Sequence, residues 1–182
     1  MKMSSRILFL DFDGVVNTYC ITDMTQDCVM IYDQVTTDLY SAHLSKNVER
    51  LCKKYDLSIV ISSSWREFYS LHELEYMLRY MGITAKLIGV TTSEHLDTTY
   101  RERLKDDIHS LSYDRGMQIT DWLEHHTHLD IEGYIVLDDN LYARYGHDDH
   151  FIHCDRDIGF DDAAYARGIQ ICDTIFKSEN VL

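Results

Sequence analysis

Four short apolar runs, each continuous rather than alternating, constrain the fold of this chain more than any other feature of its sequence. The runs cover residues 7–10, 58–61, 86–90 and 134–137, and a weaker fifth run covers 151–154. A strand that is apolar at every position is typical of a parallel sheet whose two faces are both covered by helices. The runs therefore predict the strands of a buried parallel sheet.

Amphipathic helical periods lie between these runs. Apolar residues recur at helical spacing over 44–55, 71–81 and 116–126, and a short fourth helix is expected to begin around Asp161, a candidate N-cap. Strands that alternate with helices predict an α/β fold, here a Rossmann-like domain with a central parallel sheet and helices on both faces.

The length of 182 residues suits a single domain covering 1–182. Two stretches do not fit the alternation of strands and helices. Residues 18–42 have weak periodicity and are expected to form a loop or a small β-flap inserted after the first strand. Residues 92–114 are polar and charged and are expected to form a surface excursion. Neither stretch is long enough to make a separate domain.

The formal net charge of −14 argues against bulk binding to DNA or RNA, because such a surface repels phosphate backbones. The same surplus of carboxylates favours a bound divalent cation. The five cysteines include no C-x-x-C pair, so neither a zinc site nor a disulfide framework is expected. The N-terminal apolar run is too short for a signal peptide or a membrane span, so we expect a cytoplasmic protein without membrane contacts.

Polar residues follow three of the four strands directly. Asp11 and Asp13 follow the first strand, Ser62, Ser63 and Ser64 follow the second, and Asp138 and Asp139 follow the strand at 134–137. Ligands of open α/β sheets bind beyond the carboxyl ends of the strands, so these side chains should meet at one edge. Gly14 allows the chain to turn there, which can bring Asp13 into the same cavity as Asp11.

Carboxylates and hydroxyls at one edge suit the transfer of a phosphoryl group. Mg²⁺ prefers oxygen ligands, which Asp11 and Asp139 can supply together with the backbone carbonyl of Asp13, and Asp138 is expected to share this work. A carboxylate that attacks phosphorus forms an aspartyl-phosphate, and a second carboxyl group can protonate the leaving group and then activate water. Serine hydroxyls and a basic residue can hold the phosphoryl oxygens. The expected substrate is a small phosphorylated molecule.

The run from Leu8 to Asn17 resembles the first motif of the haloacid dehalogenase-like (HAD) superfamily, in which the first Asp is the nucleophile and the second is the general acid/base. The resemblance assigns these roles to Asp11 and Asp13. The run from Ile59 to Arg66 resembles the second motif, a strand that ends in a phosphate-binding Ser or Thr. This implies Ser63 as the phosphate-binding residue, with Ser62 as the alternative.

The run from Tyr134 to Asp139 resembles the fourth motif, in which two acidic residues hold magnesium. The third motif of the superfamily is a single Lys or Arg. The stretch that begins at Arg115 resembles the basic residue and helix that precede the fourth motif in small members, which implies Arg115 as the third-motif cation. Lys105 and Arg101 remain alternatives.

The resemblance extends from about residue 6 to about residue 172 and implies a small, capless HAD phosphatase, because the spacing leaves no room for a large cap. The second Asp of the first motif favours a phosphatase over a dehalogenase. The Ser-Trp-Arg at 64–66 and the Gly159-Phe160 segment resemble a subgroup of short HAD domains, some of which are associated with RNA-end repair. Two alternatives therefore stand beside a general phosphatase: a nucleotide or polynucleotide end phosphatase, and a HAD-shaped binding module without turnover.

Overall fold

The computed structural model describes residues 5–18, 25–31, 34–92 and 115–177. In this part of the chain there are seven strands, namely β1 (Ser5–Leu10), β2 (Thr25–Ile31), β3 (Gln34–Tyr40), β4 (Leu57–Ile61), β5 (Leu87–Val90), β6 (Ile131–Asp138) and β7 (Phe151–His153). The same part contains four α-helices, namely α1 (Ala42–Tyr55), α2 (Leu71–Tyr80), α3 (Arg115–His125) and α4 (Asp162–Lys177). Short 3₁₀ turns connect several of these elements, and two of them, Ser64–Glu67 and Leu141–Arg144, contribute to the site described below.

Five of the strands form one parallel sheet in the order β5-β4-β1-β6-β7. The first strand of the chain lies in the middle of this sheet, so both of its neighbours come from distant parts of the sequence. Residues 7–10 of β1 have no exposed surface, as expected for a strand that is apolar at every position.

Helices cover both faces of the sheet. Leu8 and Leu10 of β1 face a core shared with α1, α2 and α4, whereas Ile7 and Phe9 face a second core shared with α3. On the α3 side, the rings of Phe9 and Trp122 meet edge to face at 5.4 Å. These observations confirm the predicted α/β fold with a parallel sheet between two layers of helices.

The helix ends follow the capping signals of the sequence. Helix α2 begins with a capping box in which Ser70 and Glu73 satisfy each other's backbone N–H groups, and it ends before Gly82, whose φ is +79°. Asp161 accepts a hydrogen bond from the backbone N–H of Ala164 at 2.8 Å, which confirms it as the cap of α4. The prediction that this helix is short was wrong. It has 16 residues, because its apolar face continues as far as Phe176, which packs into the core.

The segment predicted as a loop or β-flap contains β2 and β3, which pair antiparallel with Thr25 opposite Tyr40. Whether this pair acts as a flap over the site stays a prediction, because the side chains of residues 25–31 and 34–39 lie outside the described part of the structure. The predicted surface excursion also stays a prediction, since 93–114 are outside the described residues. None of the helices in the described ranges is long and apolar enough to cross a bilayer.

Candidate active site

The parallel register places four polar residues in one row at the carboxyl edge of the sheet. Leu10 pairs with Ile61 on one side and with Leu137 on the other, and Ile61 pairs with Val90. The residues that follow these positions continue the same ladder, because the backbone N–H of Asp11 donates to Leu137 and that of Ser62 donates to Leu10. The row therefore consists of one hydroxyl or carboxyl residue from each of four adjacent strands, namely Thr91, Ser62, Asp11 and Asp138.

Three carboxyl groups converge at the centre of this edge. Oxygen atoms of Asp11, Asp138 and Asp139 all lie within 4.8 Å of one another, and this is the only group of potential metal ligands of this kind among the described residues. Asp11 and Asp138 are buried, and Asp139 is half-buried. Three carboxylate donors at this spacing fit a hard divalent cation such as Mg²⁺, which prefers oxygen ligands. The convergence expected from the sequence is therefore present.

Gly14 gives Asp139 the space it needs. Its φ of +73° lies in the left-handed region, and a Cβ atom at this position would lie 2.5 Å from Cγ of Asp139. The turn after β1 therefore needs glycine for two reasons, one conformational and one steric. Any larger residue at position 14 would displace a carboxylate of the cluster.

Arg115, the first residue of α3, is the cation of this cluster. Its Nη1 donates to Oδ2 of Asp11 and, at 2.8 Å, to Oδ2 of Asp138. Burial alone would lower the pKa of Arg115, but the charges of the two carboxylates dominate and raise it above its ordinary value. The guanidinium is thus permanently charged. The two alternative cations, Lys105 and Arg101, lie outside the described residues.

The first turn of α3 is fixed by close packing against the loop that follows β6. A Cβ atom on Gly116 would lie 2.5 Å from the carbonyl oxygen of Tyr145, so only glycine fits there. The Nε2 atom of the buried His147 lies 2.9 Å from the carbonyl oxygen of Gly116, and its Nδ1 lies 2.9 Å from the hydroxyl of Tyr134. These contacts hold the residue next to Arg115, and sequence analysis did not identify them.

The pKa values of both carboxyl groups of the fourth motif, Asp138 and Asp139, are raised. Burial, reinforced by the negative charge of Asp11, raises the pKa of Asp138 well above its ordinary range, although Arg115 opposes this effect. Burial and Asp11 also raise the pKa of Asp139. Arg115 contacts only Asp11 and Asp138, so a divalent cation at this cluster would offset the remaining negative charge.

Asp13 lies at the same edge but has different partners. Its Oδ1 accepts a hydrogen bond from Nδ2 of Asn17 at 2.7 Å, and its Oδ2 accepts one from Nε1 of Trp65 at 3.0 Å. The Trp65 ring also packs edge to face against Phe12, with the ring centroids 5.1 Å apart. Both oxygens of Asp13 are therefore oriented by neutral donors. Sequence analysis assigned neither Trp65 nor Asn17 a role.

The two serines proposed for phosphate binding differ in their surroundings. Ser63 caps the 3₁₀ turn Ser64–Glu67, and its Oγ accepts from the backbone N–H of Trp65 at 3.4 Å. Ser62 is fully buried, and its Oγ has no hydrogen-bond partner among the described residues, which is also true of Oγ1 of Thr91. An unsatisfied buried hydroxyl is unusual in a folded protein and is common at sites that bind a ligand. The choice between Ser62 and Ser63 stays a prediction.

A second arginine, Arg66, contacts both the serine turn at this edge and helix α3. Arg66 donates to the carbonyl oxygen of Ser63 and, at 2.7 Å, to Oε1 of Gln118 in α3. It also pairs with Glu67 at 3.8 Å, and its own side chain is only 10% exposed. Arg66 thus connects the serine turn to α3.

An open cleft of about 560 Å³ gives access to this edge. Four charged residues of the site, Asp11, Asp13, Asp139 and Arg115, line one part of it. The remaining lining comes from Asn140, Leu141, Tyr142 and Arg156. The cleft is therefore a polar, solvent-accessible site in which a small anionic group can approach Asp11.

Comparison with known proteins agrees with this geometry. Residues 7–165 match the family described as the HAD domain in Swiss Army Knife RNA repair proteins. This range includes every predicted site residue from Asp11 to Asp139. No curated protein and no solved structure matches the chain.

Proposed function

Because the chain belongs to the HAD family of Swiss Army Knife RNA repair proteins, we propose that it is a magnesium-dependent phosphatase that hydrolyses a phosphate monoester through an aspartyl-phosphate on Asp11. One observation carries this proposal: Asp11, Asp138, Asp139 and Arg115 meet at the carboxyl edge of the sheet, inside an open cleft. A carboxylate nucleophile, a cation site and a fixed guanidinium are the groups that phosphoryl transfer requires.

The cation and the arginine have complementary tasks. A Mg²⁺ ion held by carboxylates of Asp11, Asp139 and Asp138 and by the backbone carbonyl of Asp13 would neutralise phosphate charge as the nucleophile approaches. Arg115 donates from the α3 side and orients the carboxylate of Asp11. The hydroxyl of Ser62 or Ser63 is suited to hold a phosphoryl oxygen, and the unsatisfied Oγ of Ser62 favours that residue.

Asp13 completes the reaction. In the first step an oxygen of Asp11 bonds to phosphorus, the bond to the leaving oxygen breaks, and Asp13 donates a proton to that oxygen. In the second step Asp13 takes a proton from water, which attacks the aspartyl-phosphate and releases phosphate. The hydrogen bonds from Trp65 and Asn17 keep the Asp13 carboxyl group in place between the two steps.

The experiment is phosphate release from 4-nitrophenyl phosphate by wild-type protein and Asp11→Asn, with Mg²⁺ and with a chelator. We expect wild-type turnover that needs Mg²⁺ and a loss of about 10⁴-fold or more in Asp11→Asn, because the amide is not a nucleophile. Asp149→Asn, the same substitution at an exposed position, is the matched control and should keep wild-type turnover. Undiminished turnover by a folded Asp11→Asn variant would refute the nucleophile assignment.

A second candidate is a phosphatase specific for nucleotide or polynucleotide ends, which the family description favours. The same description weakens the expectation against nucleic-acid partners, which rests only on the net charge of −14. Rates on a mononucleotide and on oligonucleotides with a 3′- or 5′-phosphate distinguish the candidates. A preference of tenfold or more for the oligonucleotide, weakened by salt, would support the second. Magnesium binding without turnover of any substrate would instead indicate a binding module.

A further inference from the structure

Arg66 is a buried cation to which the proposed reaction assigns no role. Its side chain is only 10% exposed, although arginine side chains usually keep their charged head in water. Burial lowers the pKa of Arg66 below its ordinary value, and the like charge of Arg115 adds to this effect. The charged form is thus less favourable here than in water, so the hydrogen bonds of the guanidinium must offset the loss of hydration.

Those hydrogen bonds join two separate elements of the site. Nη1 of Arg66 donates to the carbonyl oxygen of Ser63, which caps the serine turn Ser64–Glu67. Nη2 donates at 2.7 Å to Oε1 of Gln118, a buried residue of α3. A guanidinium is planar and carries several donors, so it can hold both acceptors at once in a fixed geometry.

Each of the two elements holds a different group of the proposed reaction. The serine turn carries Trp65, whose Nε1 donates to Oδ2 of Asp13 at 3.0 Å. Helix α3 begins at Arg115, and Gln118 follows three residues later, within about one turn of the helix. Arg115 in turn donates to Asp11. One side chain therefore links the element that orients Asp13 to the element that contacts Asp11.

The linked elements are attached to the two strands beside β1. The serine turn follows β4, α3 precedes β6, and β1, which leads to Asp11, lies between these strands in the sheet. Phosphoryl transfer needs the attacking and the leaving oxygen roughly in line. Asp13 must therefore keep a fixed position relative to Asp11 in order to reach the leaving oxygen. A displacement of about 1 Å at such a group can lower the rate by about 10²-fold.

We propose that Arg66 is a positioning residue for the proton transfer: by tying the serine turn to α3, it keeps Trp65, and through it the carboxyl group of Asp13, aligned with Asp11. This inference rests on the proposed phosphatase function. Arg66 does not touch the substrate in this role. Its loss should therefore impair protonation of the leaving oxygen more than it impairs the attack on phosphorus.

Two substrates that differ in their need for a proton test the inference. 4-Nitrophenolate is a stable anion and leaves without full protonation, whereas the alkoxide of benzyl phosphate must be protonated as its bond to phosphorus breaks. The measured quantity is the ratio of kcat/KM for benzyl phosphate to kcat/KM for 4-nitrophenyl phosphate at saturating Mg²⁺. Both values come from the same sample, so the ratio does not depend on the fraction of the protein that is folded.

Variants at both ends of the link should lower this ratio. Arg66→Met removes both hydrogen bonds, and we expect kcat/KM to fall about 10²-fold for benzyl phosphate but only about tenfold for 4-nitrophenyl phosphate. Gln118→Met removes only the acceptor on α3 and should lower the ratio by about threefold. Arg66→Lys keeps the charge without the planar fork and should not restore the ratio. Arg79→Met, on the exposed side of α2, is the control and should keep the wild-type ratio.

A double variant tests the route from Arg66 to Asp13. Trp65→Phe removes the N–H that donates to Asp13 but keeps the ring beside Phe12. If Arg66 acts through Trp65, Arg66→Met should lower the ratio of the Trp65→Phe protein by much less than it lowers the wild-type ratio. An equal fall in both backgrounds would overturn the inference.

The inference and the proposed function fail in different ways. Asp13→Asn is the reference, because an amide cannot supply the proton, and it should lower the ratio by about tenfold or more. If Asp13→Asn lowers the ratio and Arg66→Met does not, or if Arg66→Lys restores it, the inference is refuted while the phosphatase remains. If Asp13→Asn leaves the ratio unchanged, the proposed role of Asp13 is refuted and the inference with it. If the wild-type protein hydrolyses neither ester, the phosphatase proposal itself is refuted.

Discussion

Asp11 and Asp13 are two residues apart in the chain, yet charged groups surround the first and neutral donors hold the second. Asp11 is buried among charges, with Arg115 against it and two further carboxylates close by. Asp13 is less buried and is held by two neutral donors, Trp65 and Asn17. The proposed nucleophile thus has a charged partner, whereas the proposed acid and base is oriented by neutral donors.

We call the surroundings of Asp11 the charged region and those of Asp13 the neutral region. Turnover should be more sensitive to substitutions in the charged region. Arg115→Met removes the cation that contacts both Asp11 and Asp138 in the described part of the structure. We expect turnover of 4-nitrophenyl phosphate to fall by about 10²- to 10³-fold, which is typical for the loss of a donor that stabilises the transition state. Steady-state kinetics at saturating Mg²⁺ measure this effect. Arg79→Met, on the exposed side of α2, is the matched control.

Thermal melts of the same variant sharpen the comparison. Without Arg115 the buried carboxylates of Asp11 and Asp138 have lost their counter-charge, so added Mg²⁺ should raise the melting temperature of Arg115→Met by more than it raises that of the wild-type protein. An equal shift in the two proteins would contradict the interpretation that arginine and cation compensate the same cluster.

The neutral region should respond more moderately. Trp65→Phe keeps the ring beside Phe12 but removes the N–H that donates to Oδ2 of Asp13. A hydrogen bond to a charged group contributes about 1.5–3 kcal/mol, so we expect kcat to fall by about tenfold or more while KM changes little. Steady-state kinetics on an aryl phosphate give both constants.

A double-mutant cycle with Asn17→Ala tests whether the two donors act on one group. If both residues orient the same carboxyl group, the loss in the double variant should be smaller than the product of the two single losses. Independent, multiplicative losses would mean that Trp65 and Asn17 do not share a task.

The difference between the two regions also explains what the sequence could predict. The polar residues at strand ends were predictable, because a continuous apolar run fixes where a buried strand stops and Asp11, Ser62 and Asp138 follow directly. The parallel order of the strands then brings such ends to one edge, although they are distant in the chain. The roles within the site stay predictions.

The contacts of Asp13 could not be predicted in the same way. They depend on the orientation of an indole ring after the serine run and on a turn that brings Asn17 back to Asp13, and neither leaves a periodic signal. The contact of His147 with the first turn of α3 could not be predicted either. His147 belongs to an acidic, histidine-containing stretch, and such a stretch is typical of a solvated loop. Its burial and its contacts with Gly116 and Tyr134 distinguish this histidine from its neighbours in the stretch.

The smallest expected effect concerns His147, whose titration should make the stability of the protein depend on pH. Burial lowers the pKa of His147 below its ordinary value of 6.5. The unfolded chain therefore binds a proton more readily than the folded protein in the window just below pH 6.5, and the free energy of unfolding should fall as the pH falls through that window. The slope from one such group is at most about 1.4 kcal/mol per pH unit.

Urea unfolding of the wild-type protein and His147→Gln between pH 5 and pH 7.5 measures this contribution as a difference of slopes. The glutamine retains a donor for the Gly116 carbonyl but cannot take up a proton, so its slope should be shallower. Tyr134→Phe provides a second check, because it removes the hydroxyl that faces Nδ1 of His147 but leaves the titrating ring in place. Its slope should stay close to that of the wild-type protein, since burial is the main cause of the lowered pKa. Parallel curves for all three proteins would mean that the turn presenting Arg115 is held by packing alone, without a titrating contact.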